Sequence, residues 1–144
     1  MADILYVTET ANLGQPEIKL GTIPGAGGSQ RLTKAIGKAK AMDLILTGKN
    51  FSGKEAVEWG AAAKAFGSWE ELIEGALGTA ETIAGYSKVA VMAAKEVVNK
   101  SQDLPLRDGV EYERRVFHSL FGSQDQKIGM KAFAEKKKAE WTHQ

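Results

Sequence analysis

The residues best suited to chemistry lie in one stretch, GQPEIKLGTIPGAGGSQRL, from Gly14 to Leu32. There a single carboxylate, Glu17, follows a proline and precedes a turn with glycine at Gly25, Gly27 and Gly28. An acid that close to a tight turn suits either a phosphate cradle feeding a helix or a catalytic carboxylate beside a backbone turn. A dinucleotide fingerprint needs glycine at its first, third and sixth positions, and the sixth residue counted from Gly25 is Gln30. A P-loop closes on Gly-Lys-Ser/Thr, whereas Gly28 is followed by Ser29, Gln30 and Arg31. What survives is an extended segment at Pro16-Glu17-Ile18, a turn primed by Pro24-Gly25, and a helix whose first amides, around Gly28 to Arg31, are unpaired. A carboxylate and free amides could share one site. Taken alone, Glu17 also reads as a surface glutamate, since charged side chains are mostly exposed.

The surrounding pattern supplies the elements that must hold this stretch. Ile4 to Val7 predicts a strand apolar on both faces, as in a strand buried between layers, and implies a neighbour on each side. After the glycine turn, Leu32, Ala35 and Ile36, then Ala41, Leu44 and Ile45, mark two short helices separated by Gly37 and closed at Thr47-Gly48. Ser52 with Glu55 has capping-box spacing and opens a third, and Ala61 to Phe66 is a weak strand. Ser68 with Glu71 repeats the box before a long helix through Leu72, Ala76 and Ile83. Ser87 caps a helix over Val89 to Asn99, Pro105 opens another through Val110 and Phe117, and Asp125 starts a last one carrying Ile128, Phe133 and Trp141. Strands come early and helices late, with no internal repeat.

Composition narrows the classes. A chain of 144 residues is the common size of one domain. With 19 Lys+Arg against 18 Asp+Glu, no basic field recommends nucleic acid. There is no cysteine, and His118 and His143 are far apart, so no metal site is expected. No apolar run is long enough to cross a bilayer and the amino terminus has no secretion-signal pattern, so the chain is expected to be soluble, with no membrane partner.

The run quoted above resembles the segment of the enoyl-CoA hydratase (crotonase) superfamily that holds one of its two catalytic glutamates. The similarity continues through AMDLILTGKNFSGKEAVEWG and FAEKKKAEW to the end, and is strongest to the short-chain hydratases of mitochondrial β-oxidation. Departures are Ala61-Ala62, where Leu-Val is usual, and Lys19 in a typically aliphatic place. The resemblance implies an α/β fold class: the carboxy-terminal half of a crotonase-like fold, with a few early strands followed by mostly helices. Residues 1–66 would end the spiral core with the catalytic segment, and 68–144 would form a helical trimerisation region.

The implied reaction is syn addition of water to a trans-2-enoyl-CoA, giving the 3-hydroxyacyl-CoA. It needs an enolate oxygen stabilised, a base for water and an acid for the α-carbon. By resemblance, Glu17 handles the α-carbon proton and the Gly25 amide orients the water. Phe133 and Lys136 reach the adenine and phosphate end of coenzyme A on a neighbouring subunit. The other glutamate, the acyl pocket and both oxyanion amides belong to the half expected to be missing, so this chain alone is expected to be inactive. Lys136 with Lys137 and Lys138 also reads as a solvated helical face. The implied partners are an acyl-CoA thioester and further copies, as a trimer or dimer of trimers; no cofactor is implied, because acyl-CoA is the substrate. The implied compartment is the mitochondrial matrix, or the cytoplasm of a bacterium. A non-catalytic assembly module and an enoyl-CoA isomerase remain as alternatives.

Overall fold

The computed structural model describes residues 2–144 and divides the chain into two compact units, 1–78 and 79–144. In the first, β1 (Tyr6–Thr8) pairs in parallel with β4 (Lys64–Phe66), placing Val7 opposite Ala65. A second ladder pairs β2 (Asn12–Gly14) antiparallel with β3 (Asn50–Ser52), with Leu13 opposite Phe51. Between β2 and β3 run a 3-10 helix (Pro16–Leu20), α1 (Gly28–Ile36) and α2 (Lys38–Thr47). Then come α3 (Gly53–Glu58) and, after β4, α4 (Trp69–Ala84), which ends in the second unit.

The core of the first unit is small and gathers side chains from every layer. Val7, Leu44, Phe51, Ala56 and Ala62 are buried together, with Leu32, Ile36 and Trp59 packed around them. Burial of side chains the size of Val, Leu or Phe contributes about 1.5–3 kcal/mol each. Phe51 meets Trp59 at 5.5 Å between ring centroids. Gly53 is required by contact: a Cβ there would lie 1.9 Å from the Thr8 carbonyl oxygen, while its own N–H donates to Ala11 O at 3.0 Å. The two departures noted in the sequence are absorbed locally. Ala62 is buried in the core, and the aliphatic stem of Lys19 covers Gly48, whose Cβ would sit 2.7 Å from Lys19 Cε.

The second unit holds α5 (Lys88–Lys100), α6 (Leu106–Leu120), α7 (Gln124–Ala134) and a tail, 135–144. Among its described residues, the ones that reach full burial are polar, Ser87 and Asp125, whereas Met92, Val98, Leu106, Val110, Phe117 and Phe121 are exposed. Tyr112 donates to Glu96 between α6 and α5, and the Glu96 carboxylate beside it pushes the Tyr112 hydroxyl pKa up.

Several sequence expectations change. Pro16-Glu17-Ile18 is not extended but the start of the 3-10 helix, because Pro16 presets a helical φ and Gly21, at φ 74°, closes it after five residues. The expected strand at Ile4 shifts to Tyr6–Thr8, and Ile4 and Leu5 are exposed. The strand expected from Ala61 begins at Lys64, since the Ala61 and Ala62 amides turn back to Ala56 O. Trp141 is not on the last helix, which stops at Ala134. Lys136 to Lys138 lie beyond it, so they are neither a helical face nor a helix end. The two capping boxes fare differently. Ser52 and Glu55 bond reciprocally, and those bonds from Ser52 lower the Glu55 pKa. At Ser68 the side chain takes the Glu71 amide, while the Glu71 carboxylate accepts from Gly67 instead.

Candidate functional site

Glu17 owes its position to β2 and to the short 3-10 turn. Gly14 ends β2 against the Asn50 side chain, whose Oδ1 would lie 2.4 Å from a Cβ there. Gln15 and Pro16 then start the turn, and the Glu17 carbonyl is capped by the Thr22 amide at 3.3 Å. The residue is half-buried, yet its Oε2 is buried without a hydrogen-bond partner among the described residues. Buried polar atoms are nearly always paired, and an orphan costs free energy unless something else uses it.

The glycine turn stands between Glu17 and α1. Pro24 is buried, whereas Gly25 is exposed with open space around its Cβ position. No crowding by the chain itself and no left-handed φ demands glycine at 25. Its neighbour Gly27 does need it, at φ 84°, as the residue preceding α1. The expectation of four unpaired amides at the helix start is corrected: Gln30 and Arg31 both donate to Gly27 O, at 3.2 and 2.9 Å. The Gln15 carboxamide lies against Gly28, with Oε1 2.3 Å from where a Cβ would be. Gln15 was not singled out from the sequence, where nothing ties it to a residue thirteen positions on.

Phe133 and Lys136 belong to the second unit, Glu17 and Gly25 to the first. Phe133 is exposed on the last turn of α7, and its carbonyl accepts from the Lys136 amide at 3.2 Å. Lys136 has φ 53°, a left-handed conformation uncommon for a side-chain-bearing residue, and the chain bends there. A separate cleft of about 480 Å³ on the first unit contains none of these four residues. Its charges are engaged: Lys49 pairs with Asp43 at 3.5 Å and Lys40 lies 4.0 Å above the Trp59 ring.

Across residues 1–144 the chain matches the family model described as enoyl-CoA hydratase/isomerase. It is 54% identical over 143 residues to a probable enoyl-CoA hydratase of Rhizobium meliloti, covering 99% of this chain and 55% of that protein. Against the mitochondrial enoyl-CoA hydratase of Pongo abelii it is 45% identical, covering 100% of this chain and 49% of the relative. The crystal structure of an enoyl-CoA hydratase from Bacillus anthracis superposes with a TM-score of 0.92 at 34% identity, over 99% of this chain and 55% of that one. The fold is therefore that of crotonases, mixed α/β and mostly helical. The chain spans about half the length of these relatives.

Proposed function

Because the chain belongs to the enoyl-CoA hydratase/isomerase family, we propose that it contributes the Glu17 side of a hydratase site that adds water to a trans-2-enoyl-CoA thioester. The observation that carries the reading is the buried, partnerless Oε2 of Glu17. A carboxylate oxygen without a partner among the described residues is available to pass a proton to or from a reacting carbon, a role general acid–base groups fill. Glu17 would protonate the α-carbon, and the Gly25 amide, beneath open space, would orient the attacking water. The second carboxylate and the oxyanion amides would lie outside these 144 residues, in keeping with a chain half as long as its relatives. Hydration is favoured over isomerisation because the relatives are named hydratases.

The second unit supports the remainder of the reading. Phe133, exposed on α7, and Lys136, at the bend after it, would meet the adenine and phosphates of coenzyme A bound to a neighbouring subunit. The exposed apolar side chains of α5 and α6 suit a homo-oligomer, and favour an assembly role for this unit beside the catalytic one. The compartment would be the mitochondrial matrix, or the cytoplasm in a bacterium.

The test is hydration of crotonyl-CoA, followed by loss of the thioester absorbance. The 144-residue chain alone should not exceed the buffer rate, since losing even one oxyanion donor costs about a hundred- to a thousandfold. In a chain completed to the length of its relatives, Glu17→Gln should lower kcat by about a hundred- to ten-thousandfold while substrate still binds. An unchanged kcat removes Glu17 from the mechanism, and turnover by the lone chain refutes the division of the site.

A further inference from the structure

Asp125 is among the most buried side chains of the protein, at 2% exposure, and it is a carboxylate. The bonds it accepts join both the start of α5 and the tail to the start of α7. Ser87 Oγ donates to its Oδ2 at 2.5 Å, while Thr142 donates to its Oδ1 through both N–H and Oγ1, at 2.8 and 2.9 Å. The His143 amide donates to Oδ2 at 3.0 Å. The same tail is held at three further points: Lys88 N–H donates to His143 Nδ1, Gln124 and Asp125 amides donate to Gln144 O, and Trp141 Nε1 donates to Gly85 O. The Trp141 ring also closes over Gly129, where a Cβ would stand 3.1 Å away. The chain thus leaves the end of α7, turns at Lys136, and is returned to the start of α7.

We infer that Asp125 is a positioning residue for the lysine turn: by gripping Thr142 and His143 it holds the tail and so sets the geometry of Lys136 to Lys138 beside Phe133. The turn has few fastenings of its own. The Lys136 and Lys137 amides bond to Phe133 O and Ala132 O, and Lys137 pairs with Glu135 at 2.9 Å. The side chains of Glu135, Lys136, Lys137 and Lys138 are exposed, so the ends of the loop carry its order. The consequence for ligand binding rests on the proposed role of Lys136 toward coenzyme A; the consequence for the turn does not.

The test uses the 144-residue chain and limited trypsin digestion, since cleavage after Lys136, Lys137 or Lys138 requires the loop to open. Thr142→Val keeps shape and removes the Oγ1 donor. Cleavage in the loop should rise about three- to tenfold, the factor one ordinary hydrogen bond supplies, while cleavage after Lys95 and Arg114 in α5 and α6 stays at the parental rate. Thr142→Ser should restore protection, and Gly129→Ala should mimic the loss by pushing on Trp141. Parental cleavage in both loosening variants, or an equal rise in α5 and α6, overturns the inference. A second measurement compares binding of CoA with dephospho-CoA, which lacks the ribose phosphate. If Lys136→Ala leaves that discrimination unchanged, or the chain binds neither, the coenzyme A reading of Lys136 fails while the trypsin result still decides the role of Asp125.

Discussion

Replacing Glu17 by methionine should make the first unit more stable. One oxygen of this carboxylate is buried without a donor among the described residues, and an unsatisfied buried polar atom costs about 1–3 kcal/mol. Glu17 as a whole is only half-buried, so the lower end of that range applies. Methionine is of similar length, unbranched and apolar, and fills the same space without that cost. A gain of about 1 kcal/mol corresponds to a rise of about 4–8 °C in melting temperature for a unit of this size, or about 0.5 M in urea midpoint with unchanged slope. The assay is urea unfolding followed by tryptophan fluorescence, with Glu58→Met as the control, since Glu58 is exposed on α3 and should yield no comparable gain. A midpoint that falls in Glu17→Met, or an equal rise in the control, refutes the idea that Glu17 carries a stability cost. A group that weakens the fold where it stands is what a site residue kept for chemistry should look like.

Two further outcomes follow from contacts elsewhere. Gly53→Ala forces a methyl group to within 1.9 Å of the Thr8 carbonyl, which is backbone and cannot swing aside; it should destabilise the first unit by at least about 1–3 kcal/mol, readable in the same urea titration. Asp125 should make the second unit acid-sensitive. Burial pushes its pKa up, but the bonds from Ser87, Thr142 and His143 outweigh that and hold it below the usual carboxylate range. A depressed folded pKa contributes stability that is fully present above the unfolded value, about 3.9, and is lost as pH falls through the folded one. Thermal melts of the second unit should therefore be level from neutral pH to about 4 and fall below it, and Asp125→Asn should flatten that dependence.

Local signals settle much of this protein without any tertiary contact. Ser52 with Glu55 and Ser87 start their helices as their chemistry dictates, because a cap satisfies donors within its own first turn, and Pro105 precedes α6 with its ring fixing φ at −57°. Gly37 and Gly48 end α1 and α2 because each takes a positive φ, 83° and 62°, that glycine adopts without steric cost, and the run from Pro16 to Gly28 carries a family resemblance that the comparisons bear out as membership. Tertiary structure decided the rest. Whether Glu17 is a solvated glutamate or a buried orphan depends on what packs over it, and neither its neighbours in sequence nor its charge contains that information. The periodicity through Phe133 to Trp141 reads as one helix, but Trp141 finds Gly129 and Gly85, and the chain turns back at Lys136 to let it. Ser87 and Asp125 look like two unrelated helix starts 38 residues apart, and become one buried bond only when α5 and α7 are brought together. Caps and turns are short-range bonds that a sequence carries within itself. Burial and partnership are properties of a surface that exists only after the chain has folded.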